Sequence, residues 1–206
     1  MDGTNMAPAM QLALRANFGG VAAWREAVVQ MDRAQRDRGG ALRLVFQPLD
    51  GRLVNQWGEG DEAAADGGVV ILTVQRPVAT ALDRIDWASA YERYQHVVEA
   101  ASAAYGASQY EAAGALLLDV RRAGVFEQAA ALIPGARWCD PGEVSSWAAT
   151  LPTDREVIVY CVYGHEVGRS TALRLRAAGV QARYLVGGID GWQAAGRPLQ
   201  SKDGAP

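Results

Sequence analysis

One cysteine in this sequence has neighbours that suit nucleophilic chemistry. Cys161 follows the apolar run 157–160, which is typical of a buried strand, and a helix is predicted to begin near Val167. In α/β sheets, ligands bind at the carboxyl ends of parallel strands, which is where Cys161 would lie. Loop N–H groups and the positive end of the helix would surround its sulfur and favour the thiolate, so we expect its pKa to lie between about 8.5 and neutrality. The same donors would hold an anionic substrate or a persulfide.

Each residue of this segment has an alternative interpretation. Cys161 is otherwise a structural thiol that closes a strand, since free cysteine is among the most buried residue types. His165 is either a cation or proton shuttle beside the sulfur or a solvated loop histidine. Glu166 would repel an anionic donor such as thiosulfate and would raise the thiol pKa. The second cysteine, Cys139, has no comparable setting, and we expect it to serve packing.

Other cysteine and metal chemistries fail on residue spacing. A cysteine phosphatase or arsenate reductase of the Cys-x5-Arg type needs arginine six residues after the cysteine, whereas Arg169 lies eight residues after Cys161. A zincin motif starting at His165 would need a second histidine at that same position 169. The two cysteines form no CxxC pair, which excludes a zinc ribbon or a disulfide framework.

The composition indicates a soluble globular protein. Of its 206 residues, 50% are hydrophobic and 21% are charged, and the net charge is −3. This balance excludes a collagen-like or disordered chain and gives no electrostatic footprint for nucleic acid. The longest uncharged stretch, 3–14, is too short to cross a membrane, and Met1 is followed by Asp2 rather than by a basic segment. We expect a cytoplasmic protein with no nucleic-acid or membrane partner, and the sequence leaves its oligomeric state open.

The second half of the chain alternates strands with helices. Predicted strands lie at 116–120, 157–161 and 183–186, and predicted helices lie near 143–150, 167–178 and 189–195. Strands separated by helices imply parallel crossovers. We therefore predict an open parallel α/β sheet flanked by helices on both faces, with a domain boundary near Gly106.

The residue pattern of the first half predicts a smaller α/β domain over residues 1–105. Its pattern favours a helix over 10–38, a hairpin of strands 41–46 and 52–55, a buried strand at 69–74 and a helix over 87–104. Asp50-Gly51 supplies the turn signal of the hairpin.

Four segments of the second half resemble the successive signatures of rhodanese domains. They are 117–121 (LLDVR), 133–136 (IPGA), 159–164 (VYCVYG) and 187–199, which begins GGIDGW and ends AGRPL. Their order, spacing and total length fit a rhodanese domain over residues 106–200, followed by a tail at 201–206. The variant CVYGHEV at 161–167 particularly resembles rhodanese-type sulfurtransferases associated with bacterial chromate resistance.

This resemblance implies a sulfurtransferase that needs no cofactor. Cys161 would take a sulfane sulfur from a small donor as a persulfide and pass it to a thiol or cyanide acceptor. Asp119 and Arg121 would support the loop. Many relatives carry Arg and then Ser or Thr at the positions of Glu166 and Val167, which makes thiosulfate doubtful as the natural donor. The alternatives are a non-catalytic rhodanese module for partner binding or oxidant sensing, and residual superoxide chemistry. The residues implied to cradle the sulfur are Val162, Tyr163, Gly164, His165, Glu166 and Val167.

Five segments of the first half are similar to the C-terminal α/β domain of iron/manganese superoxide dismutases. The metal-ligand pair Asp-x-x-x-His of that family would fall on Gln75 and Ala79, or in a second alignment on Ile85 and Ser89. A redox metal needs several nitrogen and oxygen ligands, so we expect a domain without metal ligands. The similar segments are 17–20 (NFGG), 24–26 (WRE), 50–57 (DGRLVNQW), 70–74 (VILTV) and 85–87 (IDW).

Overall fold

A computed structural model of the protein describes residues 6–58 and 64–202. By their contacts these residues divide into two compact units, one within Met1–Pro48 and Arg52–Val97, the other within Leu49–Gly51 and Val98–Pro206. The division falls inside a continuous helix, whereas the sequence places the domain boundary near Gly106. That boundary stays a prediction.

Helices and strands are interspersed along the chain, with consecutive helices and consecutive strands in several places. The helices are α1 (Pro8–Phe18), α2 (Val21–Ala34), α3 (Val78–Leu82), α4 (Trp87–Ser102), α5 (Ala123–Gln128), α6 (Val144–Trp147), α7 (Glu166–Ala177) and α8 (Gly188–Ala194). The strands are β1 (Ala41–Gln47), β2 (Arg52–Gly58), β3 (Val69–Val74), β4 (Gly106–Ala107), β5 (Leu116–Asp119), β6 (Ala131–Leu132), β7 (Arg137–Trp138), β8 (Val157–Tyr160), β9 (Ala182–Leu185) and β10 (Gln200–Ser201).

The first unit contains a three-stranded antiparallel sheet in the order β2-β1-β3. The predicted hairpin of β1 and β2 is confirmed, as are β3 and most of the predicted helix that becomes α4. Trp24 of α2 is fully buried, and its indole N–H donates to Asn55 Oδ1 at 3.0 Å. Its ring meets Trp87 of α4 edge-on at 5.4 Å between centroids. These contacts join α2 to β2 and to α4.

The single helix predicted over 10–38 is two helices in the structure. Gly19 ends α1 in the left-handed region with φ of 86°, and its N–H donates to Arg15 O. Gly20 follows with φ of 142° and precedes α2. A left-handed glycine is a common helix terminator because it has no Cβ to clash with the backbone. The prediction is wrong here because the apolar spacing continues through the break.

The second unit contains the predicted open parallel sheet. Its five strands lie in the order β4-β9-β8-β5-β7, and every neighbouring pair is parallel. Successive residues of the strands enter two separate cores, as the period of two requires. One core includes residues of α6 and α7, with Leu118, Val157, Val159, Ala172 and Leu175. The other includes residues of α8, with Leu117, Ile158, Tyr160, Ile189 and Trp192. The fold class is therefore confirmed as α/β with helices on both faces of the sheet.

Short pairings complete this unit at its end. Ser201 of β10 pairs with Ala131 of β6, and the Lys202 N–H donates to Ala130 O at 2.9 Å. The tail predicted from residue 201 thus begins with two hydrogen-bonded residues, and its remainder, 203–206, lies outside the described residues. No helix within the described ranges is long and apolar enough to span a membrane.

Candidate functional site

The sulfur of Cys161 lies at the carboxyl edge of the parallel sheet. Cys161 is the first residue after β8, which is flanked by β9 and β5. The residue is buried, with 6% of its surface exposed. Its position is the one that the sequence predicts, at the strand end where α/β sheets bind ligands.

Three backbone N–H groups donate to the Cys161 sulfur, those of Gly164, His165 and Gly168. The first two belong to the loop after β8, and Gly168 lies in the first turn of α7. A Cβ on Gly168 would lie 3.4 Å from the sulfur, so the first turn of α7 packs directly against Cys161. Helix α7 begins at Glu166, with His165 as its N-cap. Glu166 and Val167 therefore lie in the first turn of the helix.

Burial raises the pKa of the Cys161 thiol above its ordinary value. The three backbone donors act in the opposite direction, and the nearby Glu166 carboxylate adds to the increase. The sequence-based expectation of a lowered pKa is therefore wrong in its net direction. The donors are present as predicted, but the free energy lost by removing the thiolate from water exceeds the stabilisation that these hydrogen bonds provide.

The outer side of the loop is aromatic and open to solvent. Tyr163 is 57% exposed, and its ring centroid lies 5.8 Å from that of His165, which is also exposed. Val162 and Glu166 are half-buried. The exposure of His165 agrees with its interpretation as a solvated loop histidine.

Helix α8 holds the loop from the other side. The Ile189 N–H donates to Cys161 O at 3.1 Å, and the Asp190 N–H donates to Val162 O at 3.0 Å. Gly188 has φ of +60°, and a Cβ on it would lie 2.4 Å from Val162 O. The segment 187–192 matches the predicted rhodanese signature, but we did not predict that its backbone holds the loop. Consecutive glycines after a strand are the signal that would have pointed to this close backbone approach.

Asp119 and Arg121 form a buried ion pair beside the site. Asp119 ends β5 next to Tyr160, is 0% exposed and accepts from Arg121 Nε at 2.9 Å. The Arg121 guanidinium also donates to Ala131 O at 2.9 Å. The Tyr160 hydroxyl accepts from the Ile133 N–H at 3.2 Å, and Asp119 also hydrogen-bonds with Tyr160. The pair therefore braces the strand that carries Cys161. Within 6–58 and 64–202, neither side chain forms a hydrogen bond with the loop 162–165.

Cys139 packs against the core of the second unit and is half-buried. Burial raises the pKa of its thiol. This setting agrees with the packing role that the sequence favours.

The residues that the dismutase resemblance would place at a metal do not fit one. Gln75, Ala79, Ile85 and Ser89 offer no imidazole or carboxylate, and His96 is exposed on α4. Within 6–58 and 64–202, no group of three or more His, Cys, Asp or Glu side chains is placed to hold an ion.

Comparison with known proteins finds a relative among the iron superoxide dismutases. A segment of 73 residues is 33% identical to an iron superoxide dismutase of Cupriavidus metallidurans. The segment is 35% of this chain and 37% of that enzyme. The chain thus spans little more than a third of the length of this relative.

Solved structures with similar folds include two rhodanese-related proteins. One, from Thermoplasma volcanium, is 22% identical with a TM-score of 0.40 and covers 46% of this chain and 96% of its own. A rhodanese-like domain protein of Staphylococcus aureus is 20% identical, with a TM-score of 0.40. The match covers 47% of this chain and 97% of that protein. A third structure is that of a protein of unknown function from Rhodopseudomonas palustris, described as a possible tyrosine phosphatase. It is 20% identical with a TM-score of 0.43, and the match covers 50% of this chain and 90% of that protein.

The family comparison locates the match on the unit that carries Cys161. Residues 102–195 match the model of the rhodanese-like domain family. This range includes β5, β8, the loop after it, α7 and α8. Residues 102–195 of this chain therefore form a rhodanese-like domain.

Proposed function

We propose that this domain transfers sulfane sulfur through a persulfide on Cys161. The observation that carries the proposal is the position of the sulfur at a strand end, among the N–H groups of Gly164, His165 and Gly168. Such donors stabilise negative charge on sulfur, whether it belongs to a thiolate or to the terminal atom of a persulfide.

The proposed reaction has two displacement steps. The Cys161 thiolate attacks the sulfane sulfur of a donor, a sulfur–sulfur bond to Cys161 forms, and the donor's leaving group departs with the electron pair of the broken bond. An acceptor thiolate or cyanide then attacks the terminal sulfur. The bond to Cys161 breaks, and its electron pair restores the Cys161 thiolate.

The charge near the sulfur bears on the choice of donor. Glu166 places a carboxylate close enough to raise the Cys161 pKa, and it would also repel a dianion such as thiosulfate. A neutral or singly charged sulfane donor suits the site better. A link to chromate resistance and a cytoplasmic location remain proposals that rest on the sequence alone.

Intact-mass spectrometry after incubation with thiosulfate or mercaptopyruvate tests this function. We expect the wild-type chain to gain one sulfur atom, with more adduct from mercaptopyruvate, and to lose it on addition of a thiol. Cys161→Ser should take up none, and the matched variant Cys139→Ser should take up as much as the wild type. Equal loss in both variants would contradict a single nucleophile.

A second candidate is a non-catalytic module that binds a partner. Burial of Cys161 to 6% exposure and its raised pKa favour this candidate, because both leave little reactive thiolate at neutral pH. The same two features argue against oxidant sensing, which requires an accessible thiol of low pKa. A wild-type chain that gains no sulfur from either donor would favour the binding module.

A further inference from the structure

Arg169 contacts the same loop that surrounds the Cys161 sulfur. Its Nε donates to Gly164 O at 3.0 Å. The guanidinium lies over the Tyr184 ring, 4.3 Å from the centroid, and donates to Ser102 Oγ at 3.3 Å. Only 17% of the side chain is exposed. Its Nη2 also lies 3.8 Å from Glu99 Oε1 of α4, an exposed carboxylate. Arg169 is therefore held by four groups, and one of its hydrogen bonds ends on the loop.

The bond to Gly164 falls on the peptide group that serves the sulfur. The carbonyl oxygen of the Gly164–His165 peptide accepts from Arg169, and the N–H of the same peptide donates to Cys161. A trans peptide is planar, with its oxygen and hydrogen on opposite sides. Fixing the direction of the carbonyl therefore fixes the direction of the N–H.

This peptide needs a constraint because it follows a glycine in an unusual conformation. Gly164 has φ of +72°, and glycine can adopt several other conformations at small cost. A flip of the Gly164–His165 peptide would turn its oxygen toward the sulfur and its N–H away. The sulfur would lose a donor and face a partial negative charge, which would destabilise a thiolate or a persulfide anion.

We propose that Arg169 is a positioning residue that locks the Gly164–His165 peptide with its N–H directed at the Cys161 sulfur. A cationic donor on the carbonyl also polarises the peptide and strengthens its N–H as a donor. The role concerns the same site as the proposed sulfur transfer, and it rests on that function only for its effect on turnover. Glu166 on α7 and His165 in the loop are kept when Arg169 is replaced. Glu99 of α4 loses its partner in Arg169→Gln, but it is exposed and retains an ammonium group opposite it in Arg169→Lys.

Alkylation of Cys161 by iodoacetamide across a range of pH tests this role without any sulfur donor. The variants Arg169→Gln and Arg169→Lys are made in a Cys139→Ser background, so that a single thiol reacts. Loss of one charge-assisted constraint on a thiolate donor should slow the reaction of Arg169→Gln at neutral pH about tenfold. Its pH profile should move to higher pH, and Arg169→Lys should show a smaller shift.

Arg176→Gln is the matched control. Arg176 also lies on α7 and stacks over a tyrosine, Tyr105 at 3.9 Å, but its guanidinium donates to Ala182 O rather than to the loop. We expect its alkylation profile to match that of the parent.

An unchanged profile in Arg169→Gln would overturn the inference, as would an equal shift in Arg176→Gln. If Arg169→Gln does not fold, Arg169→Lys decides, because lysine keeps the charge and the packed stem but lacks the planar donor fork. An Arg169→Lys profile equal to that of the parent would then overturn the inference. A shifted profile in a protein that takes up no sulfur would sustain the role of Arg169 and reject the proposed function.

Discussion

At Cys161, opposing effects act on one sulfur atom. Three backbone donors favour the thiolate, while burial and the Glu166 carboxylate favour the thiol and raise the pKa. The thiol is therefore the resting form at neutral pH. Because the thiolate is the nucleophile, the rate of reaction should rise as the pH increases toward the raised pKa.

Replacing Glu166 should separate its contribution from that of burial. In Glu166→Gln the like charge near the sulfur is removed, so the Cys161 pKa should fall and the alkylation profile should move to lower pH. Uptake of sulfur from thiosulfate should increase for the same reason. Both are measured on the folded protein, by alkylation rate against pH and by intact mass.

The control for this variant is Glu127→Gln, which removes an exposed carboxylate on α5. It should leave the alkylation profile unchanged. A Glu166→Gln profile identical to that of the parent would mean that the carboxylate has no influence on the sulfur.

A second residue-scale prediction concerns the buried pair of Asp119 and Arg121. In Asp119→Asn the Arg121 guanidinium, 5% exposed, keeps its charge but loses the negative charge that compensates it. Leaving a buried charge unpaired typically costs about 3–5 kcal/mol of the free energy of unfolding. Urea denaturation should show this loss in the unit that contains β5.

Glu111→Gln provides the comparison. Glu111 pairs with Arg183 at 2.9 Å, but both side chains are partly exposed and the carboxyl pKa is lowered to about 2 mainly by Ser108. Its replacement should destabilise the protein far less than Asp119→Asn. An equal loss of the free energy of unfolding in both variants would show that burial of the Asp119 pair adds nothing to the cost of breaking it.

At this scale the sequence predicts where the chemistry lies but not how strongly the thiol is perturbed. The position of Cys161 follows from an apolar run that ends in a short loop. Its burial depends on the chain that covers it, including Gly188 and Ile189, which lie more than twenty residues later in the sequence. Burial sets the sign of the pKa shift, so this sign is not available from the local pattern.

Among the elements, α8 and the loop pack together with no room for a side chain at Gly188. Gly188→Ala would introduce a Cβ 2.4 Å from Val162 O and 2.5 Å from Cys161 O. Left-handed backbone alone costs alanine about 1–2 kcal/mol, and the overlap adds to this. We expect a clear drop in melting temperature and a loss of sulfur uptake.

Gly196→Ala isolates the overlap from the backbone cost. Gly196 has φ of +70°, close to the +60° of Gly188, but a Cβ there would meet nothing within 4 Å. It should destabilise the protein modestly and keep sulfur uptake. If the two variants behave alike, the packing of α8 on the loop is not what holds the site.

The long elements follow from the sequence, and the short ones do not. Apolar runs predict β5, β8 and β9 to within a residue or two, and helical spacing predicts α7 and α4. Strands of two residues, such as β4 and β7, are too short to show a period, and their pairing is set by the neighbouring strand. The break at Gly19 is missed because the apolar spacing continues on both sides of it.

For the whole molecule, the comparisons support the two family resemblances to different extents. The rhodanese-like domain is matched over 102–195, whereas the dismutase likeness covers only 73 residues. A shared scaffold does not carry a shared function, because function depends on the residues of the site. The first unit is therefore judged by its own side chains.

The last prediction is that the purified protein holds no stoichiometric iron or manganese and has no dismutase activity. The argument is the supply of ligands. Residues 1–105 contain one histidine, His96, and the positions aligned with the dismutase ligands hold Gln75 and Ala79, or Ile85 and Ser89. A single exposed imidazole leaves a first-row metal mostly bound by water, too weakly to survive purification. Elemental analysis and a superoxide assay measure both outcomes. An equimolar metal content, with superoxide turnover that disappears in His96→Ala, would overturn the prediction and make the first unit an enzyme in its own right.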